Sequence, residues 1–110
     1  MDKFYKNIKS LKQLSKCKKI LRKNILKFAD EELVLSICEC VLNTLNGNIK
    51  LDHKIIKKLE KYKKHLRNLA DVNLSLKKKK KILIQQGGFL NLLLPAALTV
   101  LTTLLQTSRK

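Results

Sequence analysis

Acidic residues are scarce in this sequence. Eight Asp and Glu stand against 25 Lys and Arg, which gives a formal net charge of +17 over 110 residues. Such an excess points to a polyanionic partner, either nucleic acid or an anionic membrane surface. Arginine is also rare, and lysine neutralises phosphate as a point charge, whereas arginine reads bases through its bidentate fork. The composition therefore favours phosphate neutralisation over base recognition.

Other absences exclude further classes of protein. Tryptophan is missing and only five residues are Phe or Tyr, which argues against a stacking platform for single-stranded nucleic acid. No strand alternation, Gly-rich phosphate loop or internal repeat stands out, and no nucleophile, base and orienting acid are grouped. Most acids lie where predicted helices begin or end, so capping explains them. We expect no enzymatic activity and no cofactor.

The cysteines and histidines do not form a metal-binding pattern. Cys17, Cys38 and Cys40 contain no CxxC pair, and Cys38 and Cys40 point to different faces of a predicted helix. His53 and His65 lack a nearby acid or cysteine partner in the sequence, so we interpret them as surface residues. We expect buried, reduced thiols and no metal, as in a cytosolic or nuclear protein. The first ten residues have no apolar signal core, so secretion is not expected.

Apolar residues at spacings of three and four predict helices along most of the chain. Residues 1–29 form one helix or two with a break near Ser15, and Asp2 is their only acid against ten bases. A solvated helix face normally mixes charges of both signs, so we expect this one to contact a polyanion. The apolar stripe comprises Phe4, Ile8, Leu11, Leu14, Cys17, Leu21, Ile25 and Phe28. The lysine series comprises Lys3, Lys6, Lys9, Lys12, Lys16, Lys19, Lys23 and Lys27.

The middle of the chain predicts the core. Asp30 is a candidate N-cap, and residues 30–49 contain no Lys or Arg, so this helix should occupy the centre. Asp52 should cap a second helix, and residues 33–45 and 55–69 should pack as an antiparallel pair. Ser75 should cap a last basic helix. The seam of the second helix comprises Ile55, Leu59, Tyr62, Leu66 and Leu69, and its candidate phosphate contacts are Lys57, Lys61 and Lys64.

The last third changes character abruptly at a double glycine. Five lysines (Lys77, Lys78, Lys79, Lys80 and Lys81) precede Gly87-Gly88, which predict an unstructured junction, and residues 89–105 carry no charge. One apolar seam of this tail comprises Leu90, Leu94, Ala97, Leu101 and Leu104, and Pro95 should kink the helix or delay its start. The candidate membrane or assembly contacts are Phe89, Leu90, Leu94 and Leu101. The seam fits a helix packed on protein, a helix lying on a membrane, or a short anchor near the roughly 17-residue minimum for spanning.

The residues QQGGFLNLLLPAALTVLTTLL, after a basic cluster and before a short basic end, resemble the C-terminal half of the adenovirus core protein X precursor. Similar lysine-rich proteins occur in adintoviruses and related Maverick-type elements. The resemblance covers about a third of the chain and implies cleavage after Gly88 by a viral cysteine protease, although Gln85 stands where the adenoviral enzyme prefers an aliphatic residue. It also implies double-stranded DNA as partner, with location in the virion core and host nucleus.

These observations together predict an all-α protein. We expect a small bundle of about four amphipathic helices, with an apolar C-terminal helix after a Gly-Gly break. The parts would be a basic helical domain (1–76), a lysine run with the glycine junction (77–88) and an apolar tail (89–110). The first hypothesis is a virion core protein that binds and condenses DNA without sequence preference, with capsid contacts through the tail and self-association as further expectations. The alternative is a membrane-active or tail-anchored protein that inserts its apolar helix.

Overall fold

A computed structural model describes the backbone of residues 2–47 and 49–108, and the side-chain surroundings of residues 7–47 and 49–99. The α-helices in these ranges are α1 (Asp2–Lys16), α2 (Lys19–Lys27), α3 (Glu31–Leu45), α4 (His53–Leu59), α5 (Lys63–Ala70), α6 (Leu76–Gln86) and α7 (Leu90–Ser108). Short 3-10 turns join α4 to α5 (Glu60–Tyr62) and α6 to α7 (Gly87–Phe89). The described residues contain no strand, so the all-α prediction is confirmed.

Three helices begin at the predicted capping residues. The backbone N–H of Leu33 donates to Asp30 Oδ1 at 2.8 Å, and the N–H of Lys54 donates to Asp52 Oδ1 at 3.2 Å. Ser75 Oγ accepts from the N–H of Lys78 at 3.3 Å. Each side chain satisfies an amide that the first turn of a helix leaves without a partner. At the other end of α3, Gly47 has a φ of +76°, a conformation that costs glycine little.

Helix α3 lies at the centre of the core, as its lack of basic residues predicts. It contacts α1, α5, α6 and α7, and Ile37, Cys40 and Val41 are fully buried. α7 packs on both α1 and α3, and Leu90, Leu93, Leu94 and Ala97 are fully buried there. The first half of the apolar tail is therefore part of the protein core.

The first predicted segment divides at Cys17-Lys18, close to the expected break at Ser15. Beyond the break, the predicted apolar stripe is wrong at two of its three residues, whereas the third, Ile25, is half-buried against the core. Leu21 is 52% exposed and Phe28 is 81% exposed, whereas Arg22 and Leu26 are buried. The residues between α1 and α2 are not helical, so the spacing of α1 does not continue into α2, and a different side of α2 faces the core.

The expectation of an unstructured double glycine is also wrong. Gly87 and Gly88 form a 3-10 turn between α6 and α7, and Gly87 is buried. A Cβ on Gly88 would lie 3.2 Å from Tyr62 Oη, and one on Gly87 would lie 3.5 Å from Arg22 Nε. Because neighbouring side chains occupy the space over both glycines, packing fixes the backbone that the sequence alone would leave free.

Candidate nucleic-acid interface

Exposed lysines occur on every basic helix of the bundle. On α1 and α2, Lys9, Lys12, Lys16, Lys19, Lys23 and Lys27 are all exposed, as predicted. On the later helices, Lys57, Lys61, Lys64, Lys77, Lys78 and Lys81 are exposed too. The side-chain surroundings of Lys3 and Lys6 lie outside the described residues. The structure thus presents most of the predicted phosphate-binding lysines to solvent.

Two members of the five-lysine run are used inside the protein, which corrects the prediction for them. Lys79 is only 8% exposed, and its charge acts on the neighbouring Cys38 thiol. Lys80 is half-buried, and its Nζ donates to the carbonyl oxygen of Ala29 at 2.8 Å, just after the end of α2. Consecutive residues on a helix point in different directions, so a run of five cannot all face solvent on a packed helix.

The contact between α2 and α6 brings together two basic helices. α2 packs on α6, and neither helix contains an acidic residue. We call this the α2–α6 surface, and its exposed lysines are Lys19, Lys23, Lys27, Lys77, Lys78 and Lys81. With no acid in either helix, the potential near these lysines is positive and attracts phosphate.

Other exposed lysines were absent from the predicted set. Lys18 lies at the start of α2, and Lys54, Lys58 and Lys63 lie on α4 and α5. A simple count of lysines per helix would have found them, because outside Lys79 and Lys80 the lysines in the described side-chain ranges are exposed.

Three of the eight acids accept hydrogen bonds from nearby backbone amides. Asp30 and Asp52 accept hydrogen bonds from backbone amides at the starts of α3 and α4. Asp71 Oδ1 accepts from the backbone N–H of Asn73 at 2.9 Å, in the turn between α5 and α6. These carboxylates serve local backbone structure.

The predicted cleavage residues lie in a packed environment. Phe89 is fully buried, and its ring centroid is 5.7 Å from that of Tyr62. Arg22 is 8% exposed beside Gly87, and its Nε has no hydrogen-bond partner among the described residues. A protease that needs an extended substrate would therefore require the α6–α7 turn to open first.

Three of the four tail residues proposed for membrane or assembly contact are buried in the core. Phe89, Leu90 and Leu94 are fully buried, while the surroundings of Leu101 lie outside the described residues. Asn91, on the exposed side of α7, donates from Nδ2 to the carbonyl oxygen of Cys17 at 3.4 Å. The helical stretch Leu76–Thr99 has the length and mean hydropathy of a membrane span, with 44% of its most apolar window buried. A core helix meets the same criterion, so this finding does not distinguish the two interpretations.

The cysteines are buried free thiols, as predicted. Burial raises the pKa of Cys38, although the nearby Lys79 charge opposes the change. Burial, Glu39 and Cys38 together raise the pKa of Cys40 to about 12. These two thiols therefore stay protonated at neutral pH, a state that neither binds metal nor attacks a substrate. In the described part of the chain, no group of three or more His, Cys, Asp or Glu could hold a metal ion.

Comparisons with protein-family models, with curated proteins and with solved structures find no match. The site must therefore be interpreted from its own residues. Its chemistry is that of ammonium groups on a folded helical surface.

Proposed function

We propose that this protein binds double-stranded DNA without sequence preference and helps to compact it, as a virion core protein does. The observation that carries the proposal is the exposure of lysines on α1, α2, α4, α5 and α6 around an apolar core built from α3 and α7. Exposed ammonium groups neutralise phosphates and release counterions, which supplies most of the free energy of non-specific binding.

The distribution of these lysines favours compaction over recognition. Lysines on several helices allow one molecule to contact more than one DNA segment, and neutralising the phosphates lowers the repulsion between segments. A sequence-reading helix would need Arg, Asn or Gln side chains at base edges. Arg22 is buried against Gly87 and so is withdrawn from such a role, which leaves Arg67 as the exposed arginine in the described side-chain ranges.

The virion location and the cleavage after Gly88 are part of this proposal and rest on the resemblance of residues 77–110 to the core protein X precursors. The buried glycine turn adds a condition to the cleavage. The viral cysteine protease would cut only molecules in which the turn between α6 and α7 has opened. Mass spectrometry of purified particles, searching for a peptide that begins at Phe89, tests the cleavage independently of DNA binding.

Replacing lysines by glutamine tests whether the α2–α6 surface binds DNA. The triple variant Lys19→Gln, Lys23→Gln, Lys27→Gln removes three exposed charges from the α2–α6 surface. For each phosphate that the variant no longer neutralises, the slope of log K against log salt should become shallower by about 0.9. Lys79→Gln is the matched control, because Lys79 is buried and its replacement should leave the slope unchanged. Equal slopes for wild type and triple variant would remove the α2–α6 surface from the proposal.

The second candidate is membrane insertion of the tail, with which the length and mean hydropathy of Leu76–Thr99 are compatible. Insertion would require Leu90, Leu93 and Leu94 to leave the core in which they are fully buried. Liposome flotation tests insertion by comparing the wild-type full chain with a Leu94→Asn variant. A tail that inserts would bind less after this change, whereas a tail that stays in the core would alter stability instead.

A further inference from the structure

The outer face of α2 exposes three large apolar side chains beside its lysines. Ile20 is 79% exposed, Phe28 is 81% exposed and Leu21 is 52% exposed. Ile20 lies in the first turn of α2 and Phe28 directly follows the last residue of the helix, about 12 Å further along its axis, with the exposed Asn24 between them. The opposite side is already packed, since Arg22 and Leu26 face the core.

Exposed lysines line one edge of this apolar face. Lys19, Lys23 and Lys27 follow one edge of it at helical spacing, and all three are exposed. Lys27 Nζ lies 5.9 Å from the centroid of the Phe28 ring. The hydrogen bond from Lys80 to Ala29 also brings the lysine run of α6 next to Phe28. The nearest acid, Asp30, accepts the Leu33 N–H at the start of α3.

We propose that the outer face of α2, formed by Ile20, Leu21 and Phe28 with the lysines beside them, binds anionic membrane surfaces. An amphipathic surface of this kind places its apolar side chains at the boundary of headgroups and acyl chains. Lysine stems then lie along the apolar surface while their ammonium groups reach the lipid phosphates. This is a second ligand class, distinct from DNA, on a surface distinct from the tail.

Charge and size favour a membrane over other occupants. A second copy of the chain would bring another +17 charge against the same lysines. Three side chains also cover far less than the roughly 800 Å² per partner of a stable protein interface. The lysines at the edge of the face can also reach the phosphates of duplex DNA, but DNA has no apolar layer that would bury Ile20 and Phe28. A bilayer accommodates both parts, since its apolar interior and anionic headgroups lie in adjacent layers.

The absence of tryptophan provides a direct test. The variant Phe28→Trp carries its only tryptophan on the proposed face, and Val72→Trp carries its only one at another exposed apolar position, 87% exposed in the wild type. Vesicles of phosphatidylcholine with phosphatidylserine should shift the emission of Phe28→Trp to the blue and leave that of Val72→Trp unchanged. No shift at position 28, or the same shift at both positions, would overturn the proposal.

Vesicle sedimentation of the full chain adds a quantitative test. The double variant Ile20→Ser, Phe28→Ser should bind phosphatidylserine vesicles about tenfold more weakly, because two exposed apolar side chains no longer enter the interface. Val72→Ser is the control and should bind as the wild type does, with circular dichroism showing that both variants remain folded. Equal binding by all three proteins would assign membrane affinity to another surface and overturn the proposal.

The same variants separate this proposal from DNA binding. If duplex DNA shifts the tryptophan emission of the Phe28→Trp variant and vesicles do not, the face belongs to the DNA interface and the membrane proposal is wrong. If vesicles shift it while the salt dependence of DNA binding is absent, the proposed DNA function fails and this inference stands.

Discussion

Ending the chain after Gly88 should unfold the protein. Of the 22 buried apolar residues in the described part of the chain, the truncation removes six: Phe89, Leu90, Leu93, Leu94, Ala97 and Leu98. Burying a Leu or Phe side chain contributes about 1.5–3 kcal/mol, so the five large residues contribute ~8–15 kcal/mol before ordering costs. That sum matches the whole free energy of unfolding of a small domain, about 5–15 kcal/mol.

The assay is thermal and urea unfolding of the 1–88 chain, followed by circular dichroism beside the full chain. We expect low helicity and no cooperative transition in the truncated chain without DNA. The milder change Leu94→Ala should cost about 2–5 kcal/mol, and the half-buried Leu92→Ala should cost less. A truncated chain that melts cooperatively near the temperature of the full chain would refute the assignment of α7 to the core.

Three further predictions concern the glycines, the core and a thiol. Gly87→Ala should stabilise the protein by about 0.5–1 kcal/mol, because alanine has less backbone freedom to lose on folding. Gly88→Ala should be less favourable, since its new Cβ would lie 3.2 Å from Tyr62 Oη, and Tyr62→Phe should relieve that contact. Urea unfolding of the Gly88→Ala and Tyr62→Phe double-mutant cycle measures this coupling. Ile37→Ala should lower the free energy of unfolding by about 2–5 kcal/mol, whereas Leu21→Ala, at a 52% exposed site, should change it by under about 0.5 kcal/mol. Equal losses would show that the buried faces of α2 and α3 are wrongly assigned. The pKa of Cys40 is raised from 9.0 to about 12, so the folded state holds this proton more tightly than the unfolded chain does. The free energy of unfolding should therefore fall as pH rises through that interval, and it should fall less in the Cys40→Ala variant.

The starts of three helices and the central position of α3 could be predicted from the sequence. Asp30, Asp52 and Ser75 were recognisable as N-caps because short polar side chains before apolar periodicity satisfy the first amides of a helix. The central position of α3 followed from its lack of Lys and Arg, since a helix without basic side chains can be surrounded by other helices. These features depend on a few neighbouring residues.

Features that depend on tertiary packing were missed. The face of α2 depends on the geometry of two non-helical residues, Cys17 and Lys18, which periodicity does not describe. The glycine pair appeared flexible in the sequence because the side chains that fill the space above it come from Arg22 and Tyr62, far away along the chain. Lys79 and Lys80 appeared equivalent to their neighbours until the packing of α6 turned them inward.

Equilibrium binding of the full chain to duplex DNA, measured over a range of salt concentrations, tests the proposed function most directly. With several lysines in contact with phosphates, log K should fall linearly with log salt, by about 0.9 for each contact. Duplexes of unrelated sequence should give the same line, because ammonium groups neutralise phosphates without reading bases. Binding that persists in molar salt, or that prefers one sequence by a wide margin, would contradict non-specific phosphate neutralisation by the exposed lysines.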